Sequence, residues 1–183
     1  MSTQSQRKLH VLFNRQQIET AIKELAKQIS RDYSNKHPIL IVVLKGSFIF
    51  AADLIRQLDF PLEVDFVKIS SYGAATESSG KVKITQDLST DLRNRHLLVI
   101  EDIVDTGRTL SSLLDYLRKQ EPASLKLCAL ADKPARRQMP VSIDYLGFTV
   151  PNKFIVGYGV DWDEKFRYLP DICTLEEEKK YGT

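Results

Sequence analysis

Histidine and cysteine are scarce in this chain, with three of the first and two of the second among 183 residues. His10, His37 and His96 lie scattered, without the spacing a zinc site needs. Cys128 and Cys173 sit beside apolar neighbours and form no C-x-x-C pair, so two reduced, buried thiols are expected. An excess of one charge is also lacking. The 26 basic and 24 acidic residues leave a formal charge of +2, which gives no general argument for nucleic-acid or membrane binding and makes any basic site local. No apolar run approaches the length of a membrane span. The opening Met-Ser-Thr-Gln-Ser-Gln-Arg-Lys lacks the apolar core of a signal peptide, so the expected address is cytoplasmic. The G-x-x-x-x-G-K-[ST] spacing is absent too, which leaves a nucleoside triphosphatase without support.

What remains is an ordinary globular composition, 43% hydrophobic and 27% charged. A chain of this length can bury about 70% of its unfolded surface around one core, so residues 1–183 are expected to form one domain. Its most informative stretch is Leu97–Leu110. Leu97, Leu98, Val99 and Ile100 form a short apolar run of the kind a parallel strand shows when both faces are buried. Glu101 and Asp102 follow at its carboxyl end. Asp105, Thr106, Gly107, Arg108 and Thr109 then supply a turn and a helix start, before Leu110, Leu113, Leu114 and Leu117 repeat at helical spacing.

Open α/β sheets bind ligands beyond the carboxyl ends of their strands. A helix opening with Thr-Gly-Arg-Thr offers free amides, hydroxyls and a small residue, which together make an anion cradle suited to phosphate. The three acids would repel a bare phosphate, so they address hydroxyls or a divalent cation. A ligand with both phosphate and sugar fits best. The plainer reading is a capped helix after a buried strand, with solvated acids.

Elsewhere, Ile18, Ala21, Ile22, Leu25, Ala26 and Ile29 share one face of a covering helix that begins near Arg15 and ends before His37-Pro38. Ile39–Leu44 is a second buried strand, followed by Lys45-Gly46-Ser47 and a helix through Ala51, Leu54, Ile55 and Leu58. Leu62, Val64 and Phe66 alternate with Glu63 and Asp65, the mark of a half-exposed strand. A polar stretch over 70–80 and the alternating Lys81–Thr85 read as a hairpin with a flexible loop. Leu125–Leu130 is a further strand ending at Asp132-Lys133-Pro134, where a solvated lysine is the default. Phe154 by burial statistics belongs to the core.

The run Val-Ile-Glu-Asp-Ile-Val-Asp-Thr-Gly-Arg-Thr-Leu resembles the phosphoribosyl pyrophosphate motif of type I phosphoribosyltransferases, and is most similar to their hypoxanthine-guanine members. The likeness extends in blocks over about residues 9–175, densest around 39–47, 97–110 and 150–170. Two departures, Arg108 where other members carry Lys or an apolar residue and Trp162 where Tyr is frequent, alter no charge the mechanism requires. The resemblance implies an α/β fold with a central, mostly parallel sheet flanked by helices over about 15–150. To this it adds a flap over about 70–81 and a small hood, mainly from 151–183 with N-terminal residues.

For the site, the resemblance implies that Glu101 and Asp102 accept the ribose hydroxyls, directly or through Mg²⁺. Asp105, Thr106, Gly107, Arg108 and Thr109 hold the donor phosphate, and Asp105 handles a proton at purine N7. Leu44-Lys45-Gly46, with a cis peptide between Leu44 and Lys45, binds pyrophosphate together with Arg167. Ser71 and Tyr72 belong to a flap that closes over the site and excludes water. Lys133 meets the purine 6-oxo oxygen, Phe154 stacks on the base, and Ile155 reads its edge through the backbone. Asp161 lies beside the base and is a second metal-binding carboxylate.

The implied reaction takes phosphoribosyl pyrophosphate and hypoxanthine or guanine to IMP or GMP and pyrophosphate, in a homodimer or homotetramer. Proteins of the same fold also bind phosphoribosyl compounds to regulate RNA or DNA. Such a regulator is the alternative from another class, set apart by lost base-site residues or a basic face. A transferase for xanthine, adenine or a pyrimidine is the alternative within the enzyme class.

Overall fold

The computed structural model describes residues 7–70, 83–86, 88 and 90–177. In chain order its elements are β1 (Arg7–Phe13), α1 (Arg15–Tyr33), β2 (Ile39–Leu44), α2 (Phe48–Ile55), β3 (Glu63–Ser70), β4 (Lys83–Gln86), β5 (His96–Val104), α3 (Arg108–Arg118), β6 (Ser124–Asp132), β7 (Tyr145–Thr149), β8 (Ile155–Val156) and β9 (Ile172–Glu177). A single 3-10 turn, Pro134–Arg136, follows β6.

The main sheet runs β4-β3-β2-β5-β6-β7, with β4 antiparallel to β3 and the other five strands parallel. Its continuously apolar strands are central because both faces are covered. Along β2 and β5 successive side chains divide between two cores. Leu40, Val42, Leu98 and Ile100 pack under α1 and α2 with Ile22, Leu25, Ile29, Phe50 and Leu54. Ile39, Ile41, Leu97 and Val99 pack under α3 with Leu110, Leu113, Leu114 and Leu117. Each fully buried aliphatic side chain contributes about 1.5–3 kcal/mol of transfer free energy. A reciprocal Asn14–Gln17 capping box, at 3.0 and 2.9 Å, starts α1. Both cysteines are buried and free. A second, antiparallel sheet has the order β1-β9-β8.

Three local expectations change. β3 forms, but its buried face carries Asp65 and Val67, whereas Val64 and Phe66 are exposed. The buried Asp65 carboxylate accepts the N–H groups of Phe66 at 2.8 Å and Thr90 at 3.2 Å, so backbone amides replace the lost water. α2 ends at Ile55, and Leu58 belongs to the turn after it. β5 does not stop at Ile100. It continues to Val104, so Glu101 and Asp102 alternate within the strand.

Parallel register decides what meets at the sheet's carboxyl edge. Val104 of β5 lies opposite Asp132 of β6, and the Lys133 N–H donates to the Val104 carbonyl at 3.0 Å. Asp105 and Lys133, the residues that follow that pair, therefore leave the sheet side by side. No helix among the described residues is long and apolar enough to cross a membrane.

Candidate active site

A cavity of about 240 Å³ opens at this edge and is lined by Val43, Leu44, Gly46, Glu101, Asp102, Asp105, Thr106, Gly107 and Thr109, among others. The Leu44–Lys45 peptide at its wall is cis, as the resemblance implied. Gly46 lies hard against Asp102: a Cβ on it would fall 1.7 Å from Asp102 Oδ2. Asp102 is 9% exposed. Burial first, and the adjacent Asp102 carboxylate second, push the Glu101 carboxyl well above its ordinary range.

The helix start is not capped by a side chain. Gly107, at φ 79°, is the N-cap of α3 and supplies none, so the first-turn amides keep their donors for a ligand. The plainer reading, a capped helix with solvated acids, fails on the cap and for Asp102, which is buried, while Glu101 and Asp105 are only partly exposed. The left-handed turn also needs glycine for space, since a Cβ there would sit 2.6 Å from the Met139 carbonyl oxygen. Arg108 is exposed and stands outside the cavity lining.

On the other side stands Lys133, which is only 4% exposed, a correction to the solvated lysine expected from composition. Desolvation lowers its pKa, opposed by Asp105 and helped by Arg136. Asp105 Oδ2 pairs with Arg136 Nη1 at 3.4 Å, while its Oδ1 is buried without a hydrogen-bond partner among the described residues. An orphaned buried carboxylate oxygen calls for a donor that the described residues do not provide.

The segment from β8 to β9 contributes no residue to the cavity lining but reaches its edge, where Gly159 lies against the Gly46 carbonyl and Glu164 meets Lys45. Phe154 is 48% exposed, so it is not the core residue its type suggests, while Ile155 is buried and paired with Thr174. Asp161 and Arg167 meet at 2.9 Å, and Arg167 Nη1 also donates to the Gly159 carbonyl at 2.8 Å. Lys45 is exposed and pairs with Glu164 at 2.8 Å. Both Lys45 and Arg167 lower the Glu164 pKa. Ser71 and Tyr72 lie outside the described residues.

Comparison with known proteins matches a phosphoribosyl transferase domain to residues 10–163. The chain belongs to the phosphoribosyl transferase family. It is 46% identical over 168 residues to the hypoxanthine-guanine phosphoribosyltransferase of Streptococcus thermophilus, covering 92% of this chain and 93% of that protein. The crystal structure of a hypoxanthine-guanine phosphoribosyltransferase from Bacillus anthracis superposes with a TM-score of 0.85 at 45% identity, covering 90% of this chain and 97% of that one. A hypoxanthine phosphoribosyltransferase from Staphylococcus aureus gives 0.88 at 41% identity, over 91% of each chain.

In this phosphoribosyltransferase Arg136, Arg137 and Glu164 carry no mark in the sequence that would assign them a role. Arg137 staples the segment after β6 to the carboxyl end of β5. Its Nε donates to the Asp105 carbonyl at 3.1 Å, and its Nη2 donates to the Val104 carbonyl at 3.2 Å and to the Asp132 carboxylate. The next two amides, of Gln138 and Met139, donate to the Thr106 carbonyl at 2.9 and 3.1 Å. Two adjacent arginines in a polar loop read as surface charge, and only the fold turns one of them inward. Arg137→Met should lower stability by about 3 kcal/mol, because the partly buried Asp132 carboxylate loses its ion pair. It should also raise KM for a phosphorylated ribose donor. A denaturant titration and steady-state kinetics read the two effects, and an unchanged midpoint would remove the staple from the account.

The carboxylates offer only hard oxygen donors, which suit Mg²⁺. Among the described residues no three His, Cys, Asp or Glu side chains form a group able to hold a metal alone. Glu101 and Asp102 are adjacent on β5, whereas Asp161 stands apart in the β8–β9 segment. That arrangement fits a cation that takes most of its ligands from substrate and water.

Proposed function

We propose that this phosphoribosyltransferase transfers the 5-phosphoribosyl group of phosphoribosyl pyrophosphate to N9 of hypoxanthine or guanine, giving IMP or GMP and pyrophosphate. The observation that carries the reading is Asp105 Oδ1, buried and without a partner among the described residues, at the sheet edge where buried Lys133 stands next in register. One purine satisfies both, with a protonated N7 as donor to Asp105 and a 6-oxo oxygen as acceptor for Lys133.

The donor's 5-phosphate takes the uncapped amides of Gly107, Arg108 and Thr109 and the hydroxyls of Thr106 and Thr109. Glu101 and Asp102 accept the ribose hydroxyls, and fixed acids stabilise positive charge developing on the ring. As the ribose C1–pyrophosphate bond breaks, N9 bonds to C1 and the N7 proton passes to Asp105. Lys45, Gly46 and Arg167 hold the leaving pyrophosphate. Phe154 supplies an exposed ring for stacking, Ile155 and Asp161 border the base, and Ser71 and Tyr72 close over the site. Glu101 and Asp102, and separately Asp161, are the carboxylates that would hold Mg²⁺, which when bound neutralises donor oxygens. A homodimer or homotetramer in the cytoplasm completes the proposal, and the names of the relatives support its substrates.

Lys133 is the selector, since an adenine amino group would leave a buried ammonium facing another donor. Lys133→Met should raise KM for hypoxanthine by on the order of 10²-fold, from the unpaired 6-oxo oxygen, and narrow the preference over adenine. Steady-state kinetics with each base test this. Wild-type discrimination in the variant would remove Lys133 from the base site.

A further inference from the structure

Glu164 links the two cations assigned to pyrophosphate. Its Oε1 accepts from Lys45 Nζ at 2.8 Å and its Oε2 accepts from Arg167 Nη2 at 3.1 Å. Lys45 follows β2 and Arg167 lies between β8 and β9, so this carboxylate ties together two segments far apart in the chain. It offers two anionic oxygens to two cationic donors, which is the arrangement a phosphoryl group would also make.

The loop that presents it is tightly wound. Asp163, Glu164 and Phe166 have φ angles of 53°, 58° and 74°, the left-handed region in which L side chains crowd their own backbone. Such conformations persist where the surroundings over-determine them. Here the surroundings are reciprocal Trp162–Lys165 backbone bonds at 3.2 and 3.0 Å, the Glu164 N–H on Asp161 Oδ2 at 2.9 Å, and the two cations on the Glu164 carboxylate.

We propose that Glu164 is a resident counter-anion of the pyrophosphate site, holding Lys45 and Arg167 in the empty protein and yielding them when pyrophosphate, or the donor's pyrophosphate end, arrives. The inference rests on the assignment of Lys45 and Arg167 to pyrophosphate made above. Asp161 Oδ1, 2.9 Å from Arg167, keeps that guanidinium in place after Glu164 leaves. Lys45, which has no other ion pair among the described residues, becomes free to move. Binding therefore competes with an internal ligand, which lowers apparent affinity by the fraction of molecules in which the cations are already taken. On product release the carboxylate returns and takes pyrophosphate's place.

Both ion pairs of Glu164 are exposed, so the effect is modest and sensitive to salt. Glu164→Gln keeps the shape and removes the charge. Calorimetric titration with Mg²⁺ and inorganic pyrophosphate should show the variant binding roughly threefold to tenfold more tightly than wild type at low salt, the gap closing in high salt. KM for phosphoribosyl pyrophosphate should fall in parallel. Glu164→Ala should move affinity in the same direction.

A carboxylate that merely braces the loop predicts the reverse, and unchanged or weaker pyrophosphate binding in both variants overturns the proposal. If wild type itself binds no pyrophosphate while still binding a purine nucleotide, the assignment of Lys45 and Arg167 fails and the inference falls with it. Only that outcome leaves the wild-type titration silent.

Discussion

Asp105→Asn should lower kcat by a factor of about 10²–10⁴, the range for a lost general acid–base group, while leaving donor affinity nearly unchanged. The substitution keeps the side chain's shape, so the cavity and the Lys133 contact with the sheet survive. What changes is Oδ1, the buried oxygen without a partner among the described residues. In the proposed reaction a carboxylate oxygen here accepts the N7 proton, which an amide cannot do. Arg136, paired with Oδ2 at 3.4 Å, fixes the carboxylate orientation from the opposite side. Single-turnover kinetics separate the chemical step from binding. Equal losses in turnover and donor affinity, or no loss in either, would contradict the role given to Asp105.

Gly46→Ala should be nearly as damaging for a different reason. The new methyl would fall 1.7 Å from Asp102 Oδ2 and 2.5 Å from its Cγ, so the carboxylate has to move. The glycine cannot easily retreat instead, because its carbonyl faces Gly159, where a Cβ would stand only 2.3 Å away. Displacing Asp102 by about 1 Å costs on the order of 10²-fold in kcat/KM if it positions the ribose. The stability cost should stay at about 1–3 kcal/mol, the usual range for overpacking. Kinetics with a parallel thermal melt distinguish a misplaced carboxylate from a collapsed fold. Wild-type kcat/KM would show that Asp102 is not needed where it stands.

Legibility in the sequence followed the range of the interactions. The apolar runs Ile39–Leu44 and Leu97–Ile100 and the leucine spacing of α3 report local periodicity, and the structure uses them as read. The uncapped helix start proposed to hold phosphate was legible because it lies in consecutive residues, Asp105 to Thr109. β3 deceived in its facing, because period-2 alternation does not say which face is buried. Asp65 could turn inward only because the amides of Phe66 and Thr90 were there to meet it.

Lys133 looked solvated for a similar reason, since its burial comes from packing at the sheet edge, outside its own segment. Glu164 carries no local mark either. Its partner Lys45 is 119 residues away, and the link exists only once β2 and the β8–β9 segment share an edge.

The central claim is a reaction, and product formation tests it most directly. The protein is incubated with phosphoribosyl pyrophosphate, Mg²⁺ and hypoxanthine, guanine or adenine in separate reactions, and the nucleotide formed is separated and quantified. The account predicts IMP from hypoxanthine and GMP from guanine, each with one equivalent of pyrophosphate, and little or no AMP from adenine. No nucleotide from either 6-oxopurine, or RNA binding by the protein without any nucleotide formed, would contradict it.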